Sequence, residues 1–302
     1  MTSPPKLLDR VRTTIRTRHY SRRTEQAYVG WIRRFILFHQ KRHPSEMGAS
    51  EIGVYLSWLA ESQHVSASTQ NQALSAVMFL YRDVLGIDVG RITGVTAAKV
   101  PHRLPVVLTR AEVSRLLQEL TDPFWSIAAL LYGAGLRLNE CLGLRVKDLD
   151  FERSQIAVRR GKGGKDRVTL LPRAVHVRLS EHLERVREMH TRDLKSGFGR
   201  VMLPEALARK YPNADREWRW QFVFPAARIC RDPKWGPPSR FHLHESAVQR
   251  AIAGAARRAH LTKCVGPHTL RHHADCLIMP TLRWAVSTRA PQPDETDAVN
   301  AA

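Results

Sequence analysis

A chain of 302 residues with a formal charge of +20 and 43% hydrophobic residues is long enough for two domains that each bury a core. That surplus of cations points to a polyanionic partner: phosphate contacts supply most non-specific affinity for nucleic acid, and an anionic membrane surface stands well behind. No run reaches the ~20 consecutive apolar residues of a membrane span, and Met1-Thr2-Ser3-Pro4-Pro5 does not open a signal peptide, so the expectation is a cytoplasmic protein with no membrane partner.

The first hundred residues read as four short amphipathic helices. Leu8, Val11 and Ile15 form one helical stripe, and Tyr28, Trp31, Ile32 and Phe35 form a second. Ser50 is the expected cap of a third helix with Ile52, Tyr55, Leu56 and Leu59 on its inner face. Ser68 is the expected cap of a fourth, carrying Leu74, Val77, Met78, Tyr81 and Leu85 and closed by Gly86. Up to Arg42 this region holds eleven Lys or Arg against Asp9 and Glu25. Arg22, Arg23, Arg33 and Arg34 lie off the apolar stripe, as DNA-binding candidates or as a plain solvated face.

Gly94, Pro101 and Pro105, in a stretch with few large apolar residues, mark a linker over 93–106 between a domain at 1–92 and a second at 107–272. Thr109 and Glu112 form a capping box ahead of Val113, Leu116, Leu117 and Leu120. An apolar segment, Phe124 to Tyr132, then runs into Gly133 and Gly135. These glycines break the pattern and leave Arg137 at the start of another helix, where cationic side chain and helix N-terminus both suit a phosphate. Ile156 to Arg160 and Arg167 to Leu171 read as paired strands whose turn, Gly161 to Asp166, puts Lys162 near its tip. The turn is no P-loop, because a strand follows it with no hydroxyl at the required place. Taken alone, Lys162 is equally an ordinary hairpin lysine. Cys141, Cys230, Cys264 and Cys276 lack CxxC spacing, so reduced, mostly buried thiols are expected in place of a zinc module or a secreted disulfide framework, and no cofactor is expected.

In this order and spacing, GAGLRLNECLGLRVKDLDF, RRGKGGKDRVTLLP and GPHTLRHH resemble the tyrosine site-specific recombinases and phage-type integrases. The segment 199–225, with LPEALARKYPNADREWRWQFVFPA, resembles the insertion of the integron integrases. The resemblance covers about 8–272 and implies a mainly α fold with a small β-hairpin or sheet: an N-terminal SAM-like core-binding bundle, then a mixed α+β catalytic domain. It implies Arg137, His268 and Arg271 as a phosphate clamp and Lys162 as the proton donor to the leaving 5′ oxygen, with DNA as partner and no metal. Fixed cationic donors suit such a reaction because its transition state spreads charge over the non-bridging oxygens. The family nucleophile is a C-terminal tyrosine that forms a 3′-phosphotyrosyl intermediate.

The chain departs from that pattern after His272. Its last tyrosine is Tyr211, no histidine follows His273, and the tail 273–302, with Pro280, Pro291, Pro293 and four acids against Arg283 and Arg289, reads as foreign, disordered sequence. A frameshift or fusion that leaves the catalytic domain C-terminally incomplete and strand cleavage lost is the expectation. Family tetramers pass a C-terminal helix between neighbours, so a monomer on each half-site is expected in place of the tetramer. Trp218, Trp220, Phe222 and Phe224 alternate as one aromatic strand face, either core or a surface on which unpaired bases stack. His242 and His244 fall near family histidines that support that contact, although Phe241 replaces one of them.

Overall fold

The computed structural model describes residues 5–90, 106–159, 165–203, 207, 210–231 and 237–271. The chain divides into two compact units, Met1–Arg103 and Leu104–Ala302. The turn residue Lys162 and the tail beyond Arg271 lie outside the described residues.

In the first unit, α1 (Leu7–Thr17), α2 (Arg22–Phe38), α3 (Ala49–Glu61) and α4 (Ala67–Phe79) pack by their apolar stripes. Val11 and Ile15 of α1 meet Ile32 of α2 in one cluster, and Trp31 and Phe35 meet Tyr55, Leu56 and Val77 in a second. A π-helical turn, Leu80–Leu85, prolongs α4 until Gly86 stops it at φ +70°, a conformation glycine adopts without a Cβ clash. Two caps differ from expectation. Helix α3 begins before Ser50, because the Glu51 carboxylate accepts the Gly48 N–H at 2.8 Å. Helix α4 begins before Ser68, because Ser66 Oγ accepts the Thr69 N–H at 3.3 Å. In each case the start lies where a side-chain oxygen reaches a backbone donor three residues away.

The second unit is built around α6 (Phe124–Gly133), whose residues Ser126 to Leu131 are all buried. Around it pack α5 (Arg110–Gln118), α7 (Leu138–Leu142), α8 (His176–Lys195) and α9 (Glu245–Arg258), with Val113, Leu142, Leu179, Val248 and Ile252 among the core residues. The expected capping box is present: Thr109 N donates to Glu112 Oε2 at 2.7 Å, and Glu112 N donates to Thr109 Oγ1 at 3.2 Å. Strands β1 (Leu149–Asp150), β2 (Gln155–Val158) and β3 (Arg167–Leu170) form an antiparallel sheet in that order, with Ile156 opposite Thr169 and Val158 opposite Arg167. At Gly133 a Cβ would stand 2.6 Å from the Pro172 ring, so glycine lets α6 meet the chain leaving β3.

The aromatic segment after α8 is not a strand with one aromatic face. Trp218–Trp220 is a 3-10 turn, and beyond it only single bridges form, Arg145 with Phe222 and Pro225 with His242. Arg145 holds this turn: it donates to Trp220 O at 2.6 Å and to Met202 O at 2.7 Å, joining the turn to residues 201–203, and the segment pairs with residues 144–146 only through Val146 N to Gln221 O and Val223 N to Leu144 O. Of the three described cysteines, Cys141 is buried in the core, Cys230 is half-buried and Cys264 is exposed, so the expectation of mostly buried thiols holds for Cys141 alone. Among the described residues no helix is long and apolar enough to cross a membrane.

Candidate functional site

Arg137 occupies the position before α7, after Gly135 has turned the chain at φ +63°. Its backbone N–H and its Nη1 both donate to the Glu140 carboxylate, at 2.8 and 2.7 Å. From β3, Arg167 grips the same carboxylate with two nearly parallel bonds, 3.0 and 2.7 Å, the fork geometry that suits guanidinium and carboxylate. Arg271, at the end of the helical residues 267–271, brings its Nη1 to 3.8 Å from Glu140 Oε2. Three arginines from three separate segments thus surround one anion.

Strand β3 shows why this arrangement forms. Its alternation is inverted relative to an ordinary half-buried strand: the apolar Val168 and Leu170 face solvent, and Arg167 and Thr169 face inward, Arg167 to Glu140 and Thr169 Oγ1 to Ala134 O at 3.1 Å. Leu270, fully buried, anchors the helical residues 267–271 in the same core as α7. Thr269 Oγ1 accepts the Gly266 N–H at 3.2 Å and ties off their start.

Burial works to raise the Glu140 pKa, but hydrogen bonds from Arg167 and Arg137 outweigh it and hold the carboxyl at about 2. Glu140 is therefore ionised at every working pH. It aligns the guanidinium groups while Arg137 keeps 36% of its side chain open to solvent, so further donors remain for an incoming phosphate. His268 is exposed one helical turn before Arg271, which removes the alternative of a buried structural histidine. Of the four residues expected in the site, the fold joins Arg137 and Arg271 through Glu140 and sets His268 within the same helical residues, 267–271, as Arg271. Glu140 and Arg167 escaped the sequence reading. The Arg137 to Glu140 spacing of three, the signature of a helix-start hydrogen bond, was the available signal for the first; Arg167 had none.

The other candidates separate. Arg22, Arg23, Arg33 and Arg34 are exposed on α2. Eleven residues bring a helix round to within about 20°, so Arg22 lies in line with Arg33 and Arg23 with Arg34. Trp218 is half-buried, near His190 at 6.1 Å, whereas Trp220 is buried with Phe222, Val201 and Leu203 in a small cluster. His242 packs edge-on against Phe222 and bonds through Nδ1 to Leu243 O at 2.8 Å. His244 caps α9, its Nδ1 accepting the Ser246 N–H at 3.2 Å. Just beyond the aromatic segment, Arg240 donates to Ala226 O at 2.7 Å and Ala227 O at 2.9 Å and grips Asp193 of α8 with bonds of 2.7 and 2.8 Å.

Two family models match this chain. The N-terminal SAM-like domain of phage integrases covers residues 7–91, and the phage integrase family covers residues 106–278. An integrase/recombinase of Escherichia coli is 47% identical over 267 residues, covering 88% of this chain and 79% of that protein. Two solved structures share the fold. The Tn1549 transposon integrase in complex with transposon right-end DNA matches at TM-score 0.57 and 14% identity, covering 95% of this chain and 88% of that one. The XerH recombinase bound to its difH substrate in a pre-cleavage complex matches at TM-score 0.57 and 16% identity, covering 93% of this chain and 76% of that one.

Proposed function

Because the chain belongs to the phage integrase family of tyrosine recombinases, we propose that Arg137, His268 and Arg271 hold the phosphate of a recombination site, with Lys162 as proton donor. The convergence of Arg137 and Arg271 on Glu140 carries this reading. Three guanidinium groups around one carboxylate leave an excess of positive charge, which a phosphodiester completes bidentately. No metal has a role in it.

The finer reading is an integron-type integrase, on the likeness of segment 199–225 to the insertion of that subfamily. Its sites are duplex or folded single-strand DNA. Arg22, Arg23, Arg33 and Arg34 serve as backbone contacts, and Trp218, with His242 and His244 nearby, is the stacking candidate. Trp220 is buried in the described fold and takes part only if its cover moves. In these 302 residues no tyrosine follows Tyr211. One form of this reading is site occupancy without strand cleavage, as a monomer on each half-site. Family membership supports the second reading, phosphotyrosine strand exchange by a tetramer.

Binding of the full chain to a bulged hairpin and to a plain duplex, followed by anisotropy at several salt concentrations, tests the assignment. Charge-assisted phosphate contacts contribute roughly 1.5 to 3 kcal/mol each, so Arg137→Ala and Arg271→Ala should each weaken binding about ten-fold or more. Unchanged affinity in both variants would remove the phosphate clamp. A covalent protein–DNA adduct on a nicked suicide substrate would decide for the second reading. A preference for the bulged hairpin that survives Trp218→Ala would remove the stacking role.

A further inference from the structure

Beyond the Arg137 site, the second unit holds a separate group of cations around Trp220. Lys147, in the turn between α7 and β1, places its Nζ 3.3 Å from the centre of the Trp220 ring. Its neighbour Asp148 is buried and already committed, accepting from Arg145 N at 3.0 Å and from Arg159 Nε at 2.9 Å. Asp166 lies 3.7 Å from Arg159, and Glu217 is paired with Arg219 at 2.6 Å. Over half of the Arg159 and Arg219 side chains is open to solvent. Trp220 is buried, and its Nε1–H has no hydrogen-bond partner among the described residues.

These observations share one deficit. Lys147 carries three N–H donors and lies against the face of the Trp220 ring, which is attractive but accepts no conventional hydrogen bond. Burial first, and then the neighbouring Arg159, Arg145 and Arg219, lower its pKa against the pull of Asp148. A cation crowded by cations gains most from an incoming anion.

We propose that Lys147 over the Trp220 ring, with Arg159 held on the adjacent Asp148 and Arg219 next to Trp220 along the chain, is a second phosphate-binding point that takes a backbone phosphodiester of bound DNA. The proposal rests on the DNA-binding reading and extends it to a place that the Arg137 clamp does not serve. A phosphate oxygen there accepts from the ammonium group and uncovers the Trp220 face that Lys147 shields in the free chain.

Salt titration of DNA affinity with the full chain and a plain duplex is the test. Each phosphate contact adds about 0.9 to the slope of log affinity against log salt. Lys147→Gln should therefore lower the slope by about one, so that a four-fold rise in salt costs the variant about three-fold less affinity than it costs the unmodified protein. Lys147→Arg should keep the slope. Arg219→Gln, at an exposed position, reads the same site if Lys147→Gln disturbs folding. Binding of the unmodified protein with slopes unchanged in Lys147→Gln and Arg219→Gln would overturn this proposal alone. Absence of salt-dependent binding by the unmodified protein would overturn the DNA-binding reading beneath it.

Discussion

Glu140→Gln probes the centre of the arginine cluster. The side chain is 8% exposed and accepts four hydrogen bonds, two from Arg137 and two from Arg167. Its pKa falls from the ordinary 4.5 to about 2. At about 1.4 kcal/mol per unit, that depression corresponds to roughly 3 kcal/mol of stability at neutral pH. A carboxyl depressed by folding contributes fully above its unfolded pKa and loses the contribution as pH falls through its folded pKa. The window therefore runs from about pH 5 down to about pH 2. Partial exposure of Arg137 and Arg167 softens the loss, since water resolvates part of each freed cation. Urea unfolding of both proteins at several pH values measures it. The gap between unmodified protein and variant should be about 2 to 3 kcal/mol at pH 7 and shrink to about half of that near pH 3.3. A gap of equal size at pH 3 and pH 7, or one below about 0.5 kcal/mol throughout, would refute the assignment of this charge as the keystone of the cluster.

Gly133→Ala should destabilise by about 1 to 3 kcal/mol, read as a drop in melting temperature, because the new Cβ meets the Pro172 ring at 2.6 Å and neither backbone can yield cheaply. Tyr55 and Tyr81 are fully buried and their hydroxyls have no partner among the described residues. Tyr55→Phe and Tyr81→Phe should accordingly be neutral or stabilise by up to about 1 kcal/mol in urea melts, and a loss beyond that would reveal a hidden partner. His182 and His190 on α8 have pKa values lowered by burial, and each bonds a carbonyl, Val223 O at 2.8 Å and Arg216 O at 3.0 Å. The unfolded chain takes up their protons near pH 6.5 while the folded chain resists, so stability should fall between pH 7.5 and 5.5, and less steeply in His182→Gln. An equally steep fall in that variant would point to other groups.

The order of motifs made much of this protein legible without its structure. Helical stripes such as Val11 and Ile15 or Trp31 and Phe35 are local consequences of a 3.6-residue period, and the structure buries them as expected. Arg137, His268 and Arg271 were readable as candidates from the resemblance of their motifs to the recombinases, and the fold brings Arg137 and Arg271 to one carboxylate. Glu140 was not, because an acid three residues into a helix reads as an ordinary cap. Arg167 was not, because only its inward turn on β3 distinguishes it from a surface strand residue. The aromatic segment misled for the same reason: alternation of Trp218, Trp220, Phe222 and Phe224 mimics a strand, while the chain turns as a 3-10 helix at Trp218–Trp220, held through Trp220 O by Arg145, which is far away in sequence.

By itself, the sequence determined the helices, the hairpin, the cationic character and the family. Each depends on neighbouring residues or on a net count, and neither changes when the chain folds. The tertiary structure decided which charges meet. That Glu140 gathers arginines from the residue before α7, from β3 and from the helical residues 267–271, and that Lys147 rests on Trp220, follow from packing around α6 and from the low-dielectric cost of leaving a buried charge unpaired. Those are properties of distances across the fold, which no spacing along the chain encodes.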